Sequence, residues 1–245
     1  MRTILTFLLI IFSLTAYGKE PISVKDIKDV IESTSKSINE VKTYQFLLIK
    51  RETIEGKDTG HQYLMAKVQT EPLKVYIKFL KPARLVGREA LYTGRDLLIR
   101  RGGTRNPNLV LALDPFSPVA MVGNKYPITH MNPKTLCTQL IEKVEKEIQF
   151  PDTKLYKTEA SYAKQPGIHY RLIHKSQHPD MECCMAEMLI SKKHNLPIYF
   201  KVVNWGNKVI EEYAFSMVKV NEALPVDTFN EDNPEYHFKR KDDEK

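Results

Sequence analysis

Arg84, Gly87, Arg88, Glu89, Asp114, Lys125, Tyr126 and His130 fall within one short stretch that is dense in proline and glycine. A guanidinium in such a place receives an anionic group through two parallel hydrogen bonds, and Arg84 and Arg88 are the candidates. Arg88 and Glu89 are neighbours, so on a strand they project to opposite faces, one towards a groove and the other towards water. Ion pairs that merely hold the turns in place would use the same residues.

Binding of a different kind is offered by apolar side chains on alternating strand positions. Tyr44, Phe46, Leu48, Tyr63, Val75, Ile77, Phe79, Leu98, Tyr199 and Trp205 supply a wall for an apolar ligand, which needs a concave apolar surface and few polar groups. A filled core has the same alternation, so period alone leaves cavity and core both open.

Metal or hydrolytic chemistry can be posed from His169, His174, His178, Asp180, Glu182, Cys183 and Cys184. Zinc takes Cys, His and carboxylate ligands, but these residues follow no compact zinc spacing, and none is assigned to a metal. The chain has no GxSxG, HExxH, P-loop or dinucleotide glycine motif, and Gly102-Gly103 opens no helix. No nucleophile, acid/base pair or cofactor site can be named, and a non-catalytic protein without a cofactor is expected.

These groups need elements to position them. Val24, Ile27, Ile31, Thr34 and Ile38 recur at helical spacing over 23–41, and Leu136, Leu140, Val144 and Ile148 do so after Pro133. Strands are expected at 43–53, 61–69, 73–80, 87–92, 96–101 and 109–113, and again at 154–161, 168–174, 184–191, 197–204 and 208–220. Trp205-Gly206-Asn207 is the turn of the last hairpin. Two helices with about ten mostly antiparallel strands make a mainly β, α+β protein. A curved sheet, or half-barrel, wrapping the two helices is the expected architecture.

Residues 1–18 are set apart. Arg2 precedes an apolar run over 4–13, and Ala16-Tyr17-Gly18 offers small residues at a cleavage position. The run is shorter than the roughly 20 residues of a spanning helix, so a cleaved signal peptide and an exported, periplasmic protein are expected. A single domain over 19–229 and a charged, flexible tail over 230–245 follow from the composition. The hydrophobic fraction is 42% and the charged fraction 27%, which is ordinary for a soluble protein. Removal of the signal takes away only Arg2, so the net charge of +7 becomes +6. Basic residues are spread among acidic ones without interleaved aromatics; nucleic acid is therefore not an expected partner, while transient contact with an anionic membrane surface is. Cys137, Cys183 and Cys184 allow one disulfide from Cys137 to either of the adjacent pair, or none.

The run KPARLVGREALY from Lys81, the Gly102-Gly103 turn, LDPFSPVAM at 113–121 and NKYPIT at 124–129 resemble the secreted bacterial proteins grouped as DUF1571, from about Tyr44 to Phe229. At fold level the chain also resembles the superfamily of the lipoprotein carrier LolA and its acceptor LolB. That resemblance implies a hydrophobic cavity lined by Tyr44, Phe46, Leu48, Val75, Ile77, Phe79, Leu98, Tyr199 and Trp205, with Arg84 and Arg88 at its rim. The implied partner is a lipid, an acyl chain or a lipidated polypeptide. The alternative is an envelope module that docks another protein and has a filled core.

Overall fold

A computed structural model of the chain describes residues 21–238, together with the two-residue strand β1 (Ser13–Leu14). The signal peptide expected over 1–18 lies, apart from that pair, outside the described residues.

The first helix, α1 (Val24–Asn39), starts at a capping box. The Ser23 hydroxyl accepts from the Asp26 amide at 3.1 Å, and the Asp26 carboxylate accepts from the Ser23 amide at 3.1 Å. Its buried stripe of Ile27, Thr34 and Ile38 faces the sheet. Then come β2 (Thr43–Ile54), the short β3 (Lys57–Asp58), β4 (Gln62–Thr70), β5 (Leu73–Lys81), β6 (Glu89–Tyr92), β7 (Leu97–Arg100) and β8 (Val110–Leu113). Next the chain forms α2 (Pro118–Met121), a 3-10 turn (Ile128–Met131) and α3 (Pro133–Glu147). It re-enters the sheet as β9 (Thr153–Tyr162), β10 (Gln165–His174), β11 (Met185–Ser191), β12 (Pro197–Val203) and β13 (Val209–Val220).

Strand order explains the role of the segment between β8 and β9. It runs β1-β9-β10-β11-β12-β13-β2-β4-β5-β6-β7-β8, with β3 pairing β2. Two antiparallel meanders are thus joined where β13 pairs β2, with Glu211 opposite Glu52 and Ala214 opposite Ile49. The chain leaves one meander at β8, crosses a face of the sheet and begins the other at β9.

This order corrects the architecture expected from sequence. The sheet is open and is not curved into a half-barrel: β8 ends its path on one side, the β9 end lies on the other, and the two do not pair. Closure needs the edge strands to meet, and here they are held apart because the chain between them is spent on α2, the 3-10 turn and α3. The mixed α+β composition and the antiparallel strands are as expected.

Alternation gives the sheet two different faces. Tyr44, Phe46 and Leu48 of β2, Leu64, Ala66 and Val68 of β4, and Val75, Ile77 and Phe79 of β5 share the main core with Cys137 and Leu140 of α3. Over the other half of that face, Ile27 of α1 packs on Leu155 and Leu172, with Val144 and Ile148 beside them. On the opposite face, Tyr76, Leu91 and Val110 are covered by Tyr236 and Phe238. The Tyr76 and Tyr236 rings stack 3.7 Å apart, and the His237 ring and amide contact the buried Glu89 carboxylate at 2.8 and 3.0 Å. Tyr236, His237 and Phe238 of the expected tail therefore lie on the sheet, and 239–245 are outside the described residues. Cys137, Cys183 and Cys184 are all free thiols.

Candidate functional site

The proline- and glycine-rich stretch forms one rim of a cavity because two of its turns interlock. Gly102 and Gly103 have φ of +63° and +72°, and a Cβ on them would stand 2.0 Å from the Arg88 amide nitrogen and 2.3 Å from the Arg84 carbonyl oxygen. Only glycine permits that approach. The Gly103 amide donates to the Val86 carbonyl at 2.8 Å, and the Arg100 guanidinium donates to the Gly87 carbonyl at 2.6 Å. The turn after β5 is thereby fixed to the turn after β7.

Behind this rim is a cavity of about 360 Å³ between the sheet and the crossing segment. Leu48, Leu64, Ile77 and Phe79 belong to its wall, and Val119, Ala120, Ile128 and Met131 of the crossing segment are on the other side. Leu109 and Leu111 line it and are exposed, as are Val119 and Val122. The Arg88 and Arg101 side chains also line it. The Arg88 guanidinium lies 5.8 Å from the Phe79 ring centroid and donates from Nε to the Arg101 carbonyl at 3.2 Å. Burial, with the charges of Arg101 and Arg84 added, holds this guanidinium below its ordinary value. Among the described residues, no carboxylate lies within ion-pair distance of Arg84, Arg88 or Arg101.

A buried polar network borders the cavity where β2 meets β13. Glu52 accepts from the Tyr213 hydroxyl at 2.5 Å and from Lys50 Nζ at 3.0 Å, and Lys50 also donates to Asn124 Oδ1 at 2.8 Å. Glu211 accepts from Lys143 Nζ at 2.7 Å and from the Tyr126 hydroxyl at 2.8 Å, with Lys125 Nζ at 3.0 Å. Burial alone would raise the Glu211 carboxyl, but Lys143 and Lys125 outweigh it and hold the group below its ordinary value. Burial and the adjacent carboxylates push the Tyr126 and Tyr213 hydroxyls well up. Both tyrosines therefore stay neutral donors at the cavity wall.

Of the expected ligand-binding residues, Leu48, Ile77, Phe79 and Arg88 line the cavity. Tyr44, Phe46 and Val75 are in filled core, where the Tyr44 and Phe46 rings sit 4.8 Å apart. Tyr199 lies 6.0 Å from Tyr162, with its hydroxyl on Glu212 at 3.0 Å. Leu98 belongs to the opposite face with Tyr76 and Leu91. Trp205 is in the β12–β13 turn, and Arg84 donates to the Thr59 carbonyl at 2.8 Å. Of the loop group, Lys125 and Tyr126 join the polar network and His130 lines the cavity, while Glu89 is on the far face. Lys50, Glu52, Glu211 and Tyr213 were missed by sequence reasoning. A signal existed, because Lys50 and Glu52 continue the buried parity of Phe46 and Leu48.

With this geometry in view, residues 41–238 match the model of a family described as DUF1571, a protein of unknown function, and the chain belongs to that family. No curated protein matches the sequence. Among solved structures, lipoprotein LppX of Mycobacterium tuberculosis matches at 11% identity over 84% of this chain and 100% of that one, with a TM-score of 0.51. MucB matches at 13% identity over 84% of this chain and 63% of that one, with a TM-score of 0.50. A LolA superfamily protein from Nitrosomonas europaea matches at 10% identity over 82% and 96% of the two chains, with a TM-score of 0.34. The likeness to LppX and MucB is one of fold alone.

Proposed function

We propose that this is an exported protein of the bacterial envelope that binds an acyl chain, a lipid or a lipidated polypeptide in the cavity and does not alter it chemically. The observation that carries the reading is an apolar wall with two arginines on its rim that, among the described residues, have no carboxylate within ion-pair distance. The volume of about 360 Å³ falls in the range of small-molecule sites, about 300–1,000 Å³. Burial of the apolar chain supplies affinity in proportion to area, and Arg88 with Arg101 receives an anionic head. The likeness to a lipoprotein of the same fold supports the envelope setting.

A second reading, docking of an envelope protein, is favoured by the exposed apolar side chains Phe116, Val119 and Val122 on the crossing segment. Native mass spectrometry of the mature protein from its own envelope, with organic extraction of the same sample, separates the two. A lipid-sized adduct is expected on the unchanged protein, reduced in Arg88→Ala and lost in Ala90→Phe, which fills the wall. An apo mass with an empty extract, or an adduct retained equally by both variants, would overturn lipid binding.

A further inference from the structure

Away from the cavity, three ligand types converge where the ends of three elements meet. Glu147 is the last residue of α3, His174 is the last of β10, and Cys183 stands just before β11. One ligand atom from each lies within 4.8 Å of the other two, and all three residues are buried. The helix end and the two loops bring together residues that are far apart in sequence, which explains why spacing alone gave no compact motif.

The hydrogen bonds around His174 fix which ring nitrogen is available. The Thr153 hydroxyl has one proton and donates it to the Glu147 carbonyl at 2.9 Å. Its 2.8 Å contact with His174 Nδ1 must then have the ring nitrogen as donor. With Nδ1 engaged in this way, the ring turns Nε2 towards Glu147 and Cys183, its other nitrogen anchored as in metal-binding histidines. That Nε2 is fully buried and lies 2.6 Å from Glu147 Oε2, yet neither atom has an aligned hydrogen bond. Phe150 packs edge-on to the ring at 6.1 Å and holds its plane.

We propose that Glu147, His174 and Cys183 bind a divalent transition metal of the zinc class. One carboxylate oxygen, one imidazole nitrogen and one thiolate are a zinc-type donor set. Bonds of about 2.1 Å to nitrogen and oxygen put those atoms roughly 3.4 Å apart in a tetrahedron. Binding therefore opens the 2.6 Å contact by a rotation of the Glu147 side chain, which stands at a helix end. A cation there also offsets the negative end of the α3 dipole. Cys183 ligates as the thiolate, so binding releases its proton to solvent. Glu147 and Cys183 also line a small cavity of about 50 Å³. It has room for water as a fourth ligand.

The rival account is a plain ion pair between a protonated His174 and Glu147, and cobalt distinguishes it. The mature protein, stripped with a chelator, is titrated with Co²⁺ and read by absorbance; Zn²⁺ is then added while the melting temperature is followed. The expected result is one Co²⁺ per chain with tetrahedral bands and a thiolate charge-transfer band, and a higher melting temperature with Zn²⁺. Both are retained in Cys184→Ser and lost in Cys183→Ser. If Cys183→Ser does not fold, Cys137→Ala/Cys184→Ala, whose one remaining thiol is Cys183, must still show the thiolate band. A silent cobalt titration, an octahedral spectrum without thiolate, or a band that survives in folded Cys183→Ser would overturn the proposal.

Discussion

Glu52 and Glu211 stand directly opposite each other on neighbouring strands, a pairing that would be repulsive without compensation. Lys50, Lys125 and Lys143 with two tyrosine hydroxyls supply it. Removing one partner leaves a buried charge short of a hydrogen bond, so Lys143→Met is expected to cost roughly 2 kcal/mol in urea unfolding. Acid tests the same residue. The folded Glu211 carboxyl is held below its ordinary 4.5, so its contribution is present above the unfolded value and is lost as pH falls through the folded one. Glu211→Gln should therefore lose less stability than the unchanged protein between neutral pH and the acid limb, measured as melting temperature against pH. Identical acid slopes would refute this assignment.

At the scale of elements, the interlocked turns make a sharper claim than their glycine content. Gly102 needs both a positive φ and the space that a Cβ would fill, whereas Gly123 has φ +75° with nothing within 4 Å. Gly123→Ala is expected to cost about 1–2 kcal/mol, the conformational penalty alone. Gly102→Ala must also move the Arg88 backbone, so it should cost clearly more and weaken retention of any cavity ligand; equal losses in the two variants would argue against the interlock. On the far face, Tyr236→Ala removes a stacked, buried ring and is expected to destabilise by about 3 kcal/mol in thermal or urea unfolding. Strands were legible in the sequence because their period of two follows from backbone geometry. Cavity wall and filled core were not distinguishable. Phe46 and Leu48 sit on the same face of the same strand, but Phe46 is packed against the Tyr44 and Phe215 rings while Leu48 lines the cavity under the crossing segment. What lies above a strand is set by topology, which alternation does not encode. For a related reason the charges of the last residues suggested solvent throughout, whereas Tyr236 and Phe238 pack on the sheet and His237 bonds Glu89.

For the whole molecule, the pairing of β13 with β2 decides when the fold can be completed. Lys42 donates its amide to Asn221 Oδ1 at 2.7 Å across 179 residues of chain, and the strand pair beside it joins the two meanders. A chain cut after Asn207 lacks β13 and is expected to remain open to protease at all temperatures, whereas one ending at Phe238 resists; protection of the shorter chain would show that the first meander folds alone. The same topology bears on biogenesis. A chain threaded N-terminus first through a membrane would carry β2 with one edge unpaired until residue 220 had followed, so its apolar strands would spend the whole passage unprotected. Closure of so long a loop is slow, so this strand order leaves that edge open to other chains for longer than a meander would, whatever the cavity carries.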